Sequence, residues 1–387
     1  MIGARLRWLC ATLIGLVLMT GGCTTTPGPA SPGAEPPYSA PSSGGPDSSG
    51  PDSAGPDSAG PPSAGAHTSG AGPLPAECTD RLTEPDQASA ALGRAQPGSL
   101  VCLTGAGLAG AELQVTTSGT PQQPIRIVSD GATMRSLNVK ADYIVIQGLI
   151  LRDGDGLTMT GRGLVARNNV IDNATANGVE CKDCVDTIIE SNTVQHADGT
   201  GIWLSGERIT VRNNTVSDSV LRTMNDADGI RFFGRGHRLT GNTIKDISAA
   251  GYPHGGPHTD CFQTYDSRDT PPTYDVVISD NICTNVDVQA LIATIDDPRG
   301  APPEGPTTIT FERNTVQVNG SQAVLLRHFP HVIIRDNHFS GPGDRAVNIT
   351  EGSTDCTVTG NTVSGNLRPF EIDRQSQRGF QESGNSR

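Results

Sequence analysis

From residue 164 onward one pattern of hydrophobic and polar positions keeps returning. At 209–218 it reads Ile-Thr-Val-Arg-Asn-Asn-Thr-Val-Ser-Asp. Alternation of period 2 puts Ile209 and Val211 on one face and Thr210 and Arg212 on the other, which is the pattern of a strand with one buried side. The phrase recurs at 187–196, 237–246, 276–285, 309–318, 332–341 and 356–365, with a looser copy at 164–173. Its anchoring Asn falls at 169, 192, 214, 242, 281, 314, 337 and 361, in steps of 23, 22, 28, 39, 33, 23 and 24 residues. A minimum period near 22 with strand content means a solenoid with one coil per repeat. Helical repeats would need period 3.6, and leucine-rich repeats would need Leu at fixed offsets; neither pattern is present.

Asn tolerates left-handed backbone at a bend, and its amide can bond the same Asn one coil away. The Asn row therefore predicts a ladder stacked along one corner. The expected fold is all-β: a right-handed, single-stranded parallel β-helix of about ten coils. A second strand, opening with a small residue, follows each phrase, as in Gly201-Ile-Trp-Leu-Ser205 and Gly229-Ile-Arg-Phe-Phe233. With the aliphatics inward, alternation turns Glu180, Lys182, Trp203, Arg231, Phe233, Gln263, Tyr265 and Arg327 outward onto one sheet face.

Thr83-Glu-Pro-Asp86 is a helix-start signal with Thr83 as a candidate N-cap. Ala88, Ala91, Leu92 and Ala95 follow at helical spacing, and Pro97-Gly98 ends the run before a strand at 99–103. This helix, Pro-Gly, strand order resembles the N-terminal cap of pectate-lyase-like β-helix proteins, which covers the open end of the solenoid.

The chain before the solenoid carries an address. Arg5 and Arg7 precede an apolar run, Trp8 to Met19, which ends at Thr20-Gly-Gly-Cys23. Such a run is a secretory signal, too short to span a bilayer. Gly-Gly-Cys23 resembles the lipobox of bacterial lipoproteins, which implies a signal peptide at 1–22 and acylation at Cys23. Residues 23–75 are rich in Pro, Gly, Ser and Ala, with four Pro-x-Ser-x-Gly units, and are expected to form a disordered tether reaching roughly 150 Å if extended. Residues 76–387 are then one β-helix domain. The expected setting is extracytoplasmic, on the bacterial cell surface, with membrane contact through the lipid anchor alone. A net charge of −13 argues against nucleic acid and anionic membrane as partners. A monomer is expected.

Export makes disulfides available. Cys78 and Cys102 bracket the cap helix and are expected to be bridged. Cys181-Lys-Asp-Cys184 has no second pair and no thioredoxin-like context, so it reads as a local disulfide or as two core thiols. Cys261 and Cys283 flank one loop and form a plausible second bridge, leaving Cys356 buried.

Chemistry concentrates in the middle coils. The three long steps are consecutive and insert 220–227, 248–259, 267–274 and 296–306, and insertions in a solenoid tend to build one functional face. There Asp228 and Asp260 stand directly before the small residue that opens a strand, on neighbouring coils, with Asp226, His254 and His258 close in sequence. Asp228-Gly-Ile and Asp260-Cys-Phe resemble the paired aspartates of polygalacturonase-type β-helix glycosidases. That likeness implies acid–base roles in inverting hydrolysis. The family's Gly-His-Gly is missing at Val288-Gln-Ala, and its Arg-x-Lys is missing too, although Arg327-His328 is expected on the same face.

A lyase would use other groups. A base would take the proton α to a uronate carboxylate, and cations would neutralise that carboxylate. Arg231, Arg327 or Lys182 could supply the charge, with Asp226, Asp228 and Asp260 as candidate Ca²⁺ ligands; no cofactor is required by any motif. Trp203 and Tyr265 are platforms for a sugar ring, and Glu180, Lys182, Gln263 and His328 complete the candidate glycan contacts. The catalytic candidates are Asp228, Asp260, His258, Arg231 and Arg327. The expected partner is a polysaccharide, cleaved by hydrolysis or β-elimination; the alternative is a non-catalytic glycan-binding or structural protein of the cell envelope, with the two Asp merely capping turns.

Overall fold

The computed structural model describes residues 72–222, 226–250, 252, 258–296 and 301–387. Cys23, the signal segment and all but the last four residues of the expected tether lie outside them, as does His254.

Every strand pairing is parallel, and the strands stack into two sheets of 13 and 19 members. The smaller sheet runs from Arg81–Leu82 to Gln381–Ser383. The larger one is two stacks joined at one end by Thr133–Lys140 and Ile150–Thr160. Ile150–Thr160 is long enough to pair first with Val170–Asp172 and then with Val179–Val185. Each coil crosses from the small sheet, through the Asn corner, into the first stack and then the second.

Register accounts for the core. Ile189, Val211, Leu239, Ile278, Phe311 and Ile334 are partners in succession across the small sheet, and all are fully buried. Val194, Val216, Ile244, Cys283, Val316 and Phe339 do the same after the corner. Stacking like on like at the roughly 4.8 Å interstrand spacing fills the interior with one aliphatic column per position.

The corner holds the predicted ladder. The N–H of Asn192 donates to Oδ1 of Asn214 at 2.9 Å, and Nδ2 of Asn192 donates to the same oxygen and to the Ala166 carbonyl, both at 3.0 Å. The motif repeats from Asn169 through Asn361 and ends on Asn385, one coil beyond the last phrase. One expectation is corrected: the left-handed residue is the one before the anchor. Asn168, Ser191, Asn213, Gly241, Asp280, Arg313, Asp336 and Gly360 take φ between 51° and 65°, while the anchoring Asn turns its amide into the stack.

The cap helix spans Pro85–Arg94 and buries Ala88 and Leu92 over the first coils. Its N-cap is Glu84 rather than Thr83, and no side chain caps it; Pro at the first position removes one of the donors a cap would serve. Cys78–Cys102, Cys181–Cys184 and Cys261–Cys283 are disulfides, and Cys356 is the buried free thiol.

Candidate functional site

The second stack of the larger sheet carries the site. Its strands Val179–Val185, Ile202–Glu207, Ile230–Arg235, Asp260–Tyr265, Gln289–Thr294 and Gln322–Arg327 lie side by side in register. Three rows of side chains face away from the aliphatic column. The first contains Asp228, Asp260 and Gln289; the second Glu180, Trp203, Arg231, Gln263, Ile292 and Leu325; the third Ser205, Phe233, Tyr265, Thr294 and Arg327.

Asp228 and Asp260 do come together. Oδ1 of Asp228 accepts the backbone N–H of Asp260 at 3.1 Å, and Oδ1 of Asp260 accepts that of Gln289 at 3.0 Å. The other oxygens hold cations. Oδ2 of Asp228 accepts from Arg231 Nε at 3.1 Å and, more closely, from Nη2, which also donates to Asp226 at 3.3 Å. Oδ2 of Asp260 lies 3.7 Å from His258 Nδ1 and accepts from Gln263 Nε2 at 3.2 Å.

Both carboxylates are 0 % exposed, so neither opens directly onto solvent. Arg231, Phe233 and Gln263 are likewise buried rather than outward and wet. Alternation sets the face but not what neighbouring side chains cover on it. Arg231 nevertheless lies under the surface aromatic Tyr265, with Cζ 5.6 Å from the ring centroid. Phe233 packs between Trp203 and Tyr265, at ring separations of 5.6 and 5.1 Å. The half-exposed groups are His258, Asp226 and Tyr265.

Electrostatics follow from burial. Desolvation pushes the Asp228 carboxyl up to about 7 against the pull of Arg231, with the neighbouring Asp260 adding to the rise. Burial also raises Asp260, opposed by His258 and by the amides of Gln289 and Gln263. His258 is held up at about 9 by its contact with Asp260, so the imidazole is cationic at neutral pH.

The Ca²⁺ expectation does not fit. All four oxygens of Asp228 and Asp260 already accept hydrogen bonds or face a cation, and Asp226 leans on the same guanidinium. Among the described residues no group of three or more His, Cys, Asp or Glu is placed to hold a metal. The charge that balances these acids is organic: Arg231 and His258.

The remaining candidates divide. Arg327 lies two rungs past Tyr265, roughly 10 Å along the stack, and pairs with Asp296 at 2.7 Å, so it is not part of the cluster. His328 sits at φ 53° past the strand end and faces Glu351 at 3.6 Å. Glu180 accepts from Asn177 at 3.0 Å, beside Trp203 on the next strand. Lys182 is exposed, in a stretch where the register shifts between Cys181 and Cys184 and the alternation that placed it breaks. Gln289 was missed, although the signal was available: it precedes Ala290 just as Asp228 precedes Gly229.

A family described as "Right handed beta helix region" matches residues 155–297. The chain is a right-handed parallel β-helix. Among solved structures it is similar to an alginate lyase from a Paenibacillus strain, at 15% identity over 79% of this chain and 98% of that one, TM-score 0.42. It is also similar to the Dettilon tailspike protein, at 12% identity over 73% and 51%, TM-score 0.48. A lacto-N-biosidase from Eubacterium ramulus matches at 11% identity over 77% and 63%, TM-score 0.48. The β-helix thus spans about half of the tailspike chain and under two thirds of the biosidase chain. No curated protein matches the sequence.

Proposed function

We propose that this β-helix binds an acidic polysaccharide along the three-row face and cleaves it by β-elimination at the cluster around Arg231 and His258. One observation carries the reading: the two acids that a hydrolase would turn toward its substrate are buried and engaged in holding a guanidinium and an imidazolium in place. Cations fixed by buried partners need no reorganisation when a uronate carboxylate arrives, and neutralising that carboxylate is what makes the adjacent C–H acidic. In the reaction a base removes the C5 proton, the C4–O bond breaks, a C4=C5 double bond forms and the leaving oxygen takes up a proton. With Nδ1 turned to Asp260, Nε2 of the His258 imidazolium is the nitrogen that can supply that proton. Of the side chains flanking Arg231, Asp226 and Tyr265 reach solvent, and Asp226→Asn and Tyr265→Phe identify which one takes the C5 proton. Trp203 and Tyr265 give the sugar rings apolar faces to lie on.

The test is to incubate the protein with a panel of polyuronates and follow near-ultraviolet absorbance and reducing ends together. Absorbance rising with reducing ends, and lost in Arg231→Gln and His258→Ala, is the expected result. Reducing ends without absorbance would mean hydrolysis. Binding with neither signal would mean a glycan-binding module, a reading favoured by the way Oδ1 of each Asp caps a backbone N–H. The proposed setting is the cell surface, with acylated Cys23 as anchor; Cys23→Ala should release the protein into the medium, and wild type that never takes up labelled palmitate would exclude the anchor.

A further inference from the structure

Two amide oxygens beside the cluster are unpaired. Gln263 and Gln289 are 5 % and 4 % exposed, and Oε1 of each finds no donor among the described residues. Gln263 commits its Nε2 to Asp260, which leaves the oxygen as the end without a partner. Gln289 is the register partner of Asp260 on the next strand and donates its backbone N–H to that carboxylate, so both glutamines neighbour Asp260. A buried acceptor without a donor is costly, and an arriving N–H or O–H recovers that cost. Beyond them the second outward row turns apolar: Gln263 is followed by Ile292, 8 % exposed, and then by half-buried Leu325. Within about two rungs, the face passes from cations to amide acceptors to aliphatic side chains.

Resting on the eliminase reading above, we propose that the substrate alternates its uronate with an N-acetamido sugar, and that Gln263, Gln289, Ile292 and Leu325 form the subsite for the acetamido group. Its N–H supplies the donor that the amide oxygens lack, and its methyl supplies the apolar partner for Ile292 and Leu325. A second uronate there would set its carboxylate against acceptor oxygens. A plain hydroxyl would satisfy an oxygen and leave the aliphatic pair uncovered. The rung spacing of roughly 4.8 Å is close to the advance of one sugar unit along an extended chain, so neighbouring sugars meet neighbouring rungs.

The experiment compares kcat/KM on three polymers: an alternating uronate–N-acetylhexosamine glycan, the same glycan after chemical de-N-acetylation, and a plain polyuronate. The acetamido polymer should lead both others by about ten-fold or more: the polyuronate brings no N–H to the buried acceptors, and the de-N-acetylated glycan brings a charged ammonium in place of the methyl that covers Ile292 and Leu325. Re-N-acetylation should restore the lead, and Gln289→Leu should lose at least ten-fold more on the acetamido polymer than on the polyuronate. Equal rates before and after de-N-acetylation, or a preference for the polyuronate, would overturn the subsite while leaving the eliminase reading in place. Cleavage of none of the three would overturn both.

Discussion

Asp228→Asn separates the two things this carboxylate does. Oδ1 caps the N–H of Asp260, a task an amide oxygen performs equally well, whereas Oδ2 carries the charge that clamps Arg231. The charge is costly where it sits. A rise from the ordinary 3.8 to about 7 corresponds to on the order of 4 kcal/mol against the ionised form in the fold. The sign follows from linkage: the folded state binds this proton more tightly than the unfolded chain. The contribution is therefore fully present below about pH 3.8 and is lost as pH rises through about 7. The variant has no proton to bind at this position, so the share of the pH dependence due to Asp228 should vanish and leave that of Asp260, which burial also raises. Arg231 keeps Asp226 at 3.3 Å as a partner, which limits the penalty of leaving a buried cation. Net stability at neutral pH should thus be no lower than wild type, while activity falls by about a hundred-fold or more because the guanidinium is no longer fixed. Denaturant titrations across about pH 4 to 8, run beside turnover assays, read both quantities. A pH slope as steep in the variant as in wild type, or activity that survives with it, would refute the assignment of Asp228.

Three other outcomes can be measured directly. Activity should fall as pH rises through about 9, because His258 loses the proton that Asp260 helps to hold, and the residual activity of His258→Ala should show no such alkaline limb; an unchanged limb in the variant would assign it to another group. Asn281→Ala opens the ladder, stranding the N–H and Nδ2 of Asn242 and the Leu239 carbonyl, and should cost about 3–5 kcal/mol by denaturant titration, whereas a loss under about 1 kcal/mol would mean that water replaces the amide. Removing the Cys261–Cys283 bridge, which closes a loop of 22 residues, as C261A/C283A should cost about 3 kcal/mol; an unchanged unfolding midpoint would mean that residual structure already restrains that loop in the unfolded chain.

The solenoid was legible because its physics repeats. A ladder needs the same side chain on every coil, so Asn169 to Asn361 leave a periodic mark that composition cannot imitate. The coils before Leu164 leave no such mark. Leu149 occupies the ladder position there, and its N–H donates to Asn169 without an amide of its own, so Ile125–Ser129 and Ile144–Gln147 are strands that the phrase does not announce. Period 2 also placed Arg231, Phe233 and Gln263 on the correct face but could not say that the face is covered there. The cover shown comes from neighbouring rungs, as where Trp203 and Tyr265 close on Phe233, and no pattern within one strand encodes that. Period 2 places Lys182 outward, where it is exposed, but it could not show that the register shifts between Cys181 and Cys184, which are bridged within that one strand.

The choice of residue in the first outward row remains to be accounted for. Asn177, a neutral amide earlier in the chain, donates nothing to the next rung and accepts the N–H of Thr200 with Oδ1 at 3.3 Å. Asp228 and Asp260 accept the next rung's N–H with the same atom. If capping the next rung were all that these positions did, Asn would serve at both, with no charge to desolvate. Two ionisable acids on neighbouring rungs, each fully buried and each raised by that burial, are a standing cost to the fold. What the negative charge adds beyond capping is the guanidinium of Arg231 on one rung and the raised imidazolium of His258 on the next. A neutral row would leave Arg231 with only the half-exposed Asp226 and would take from His258 its contact with Asp260. On the function proposed above, the acids are the fixed support of two cations that meet an anionic ligand.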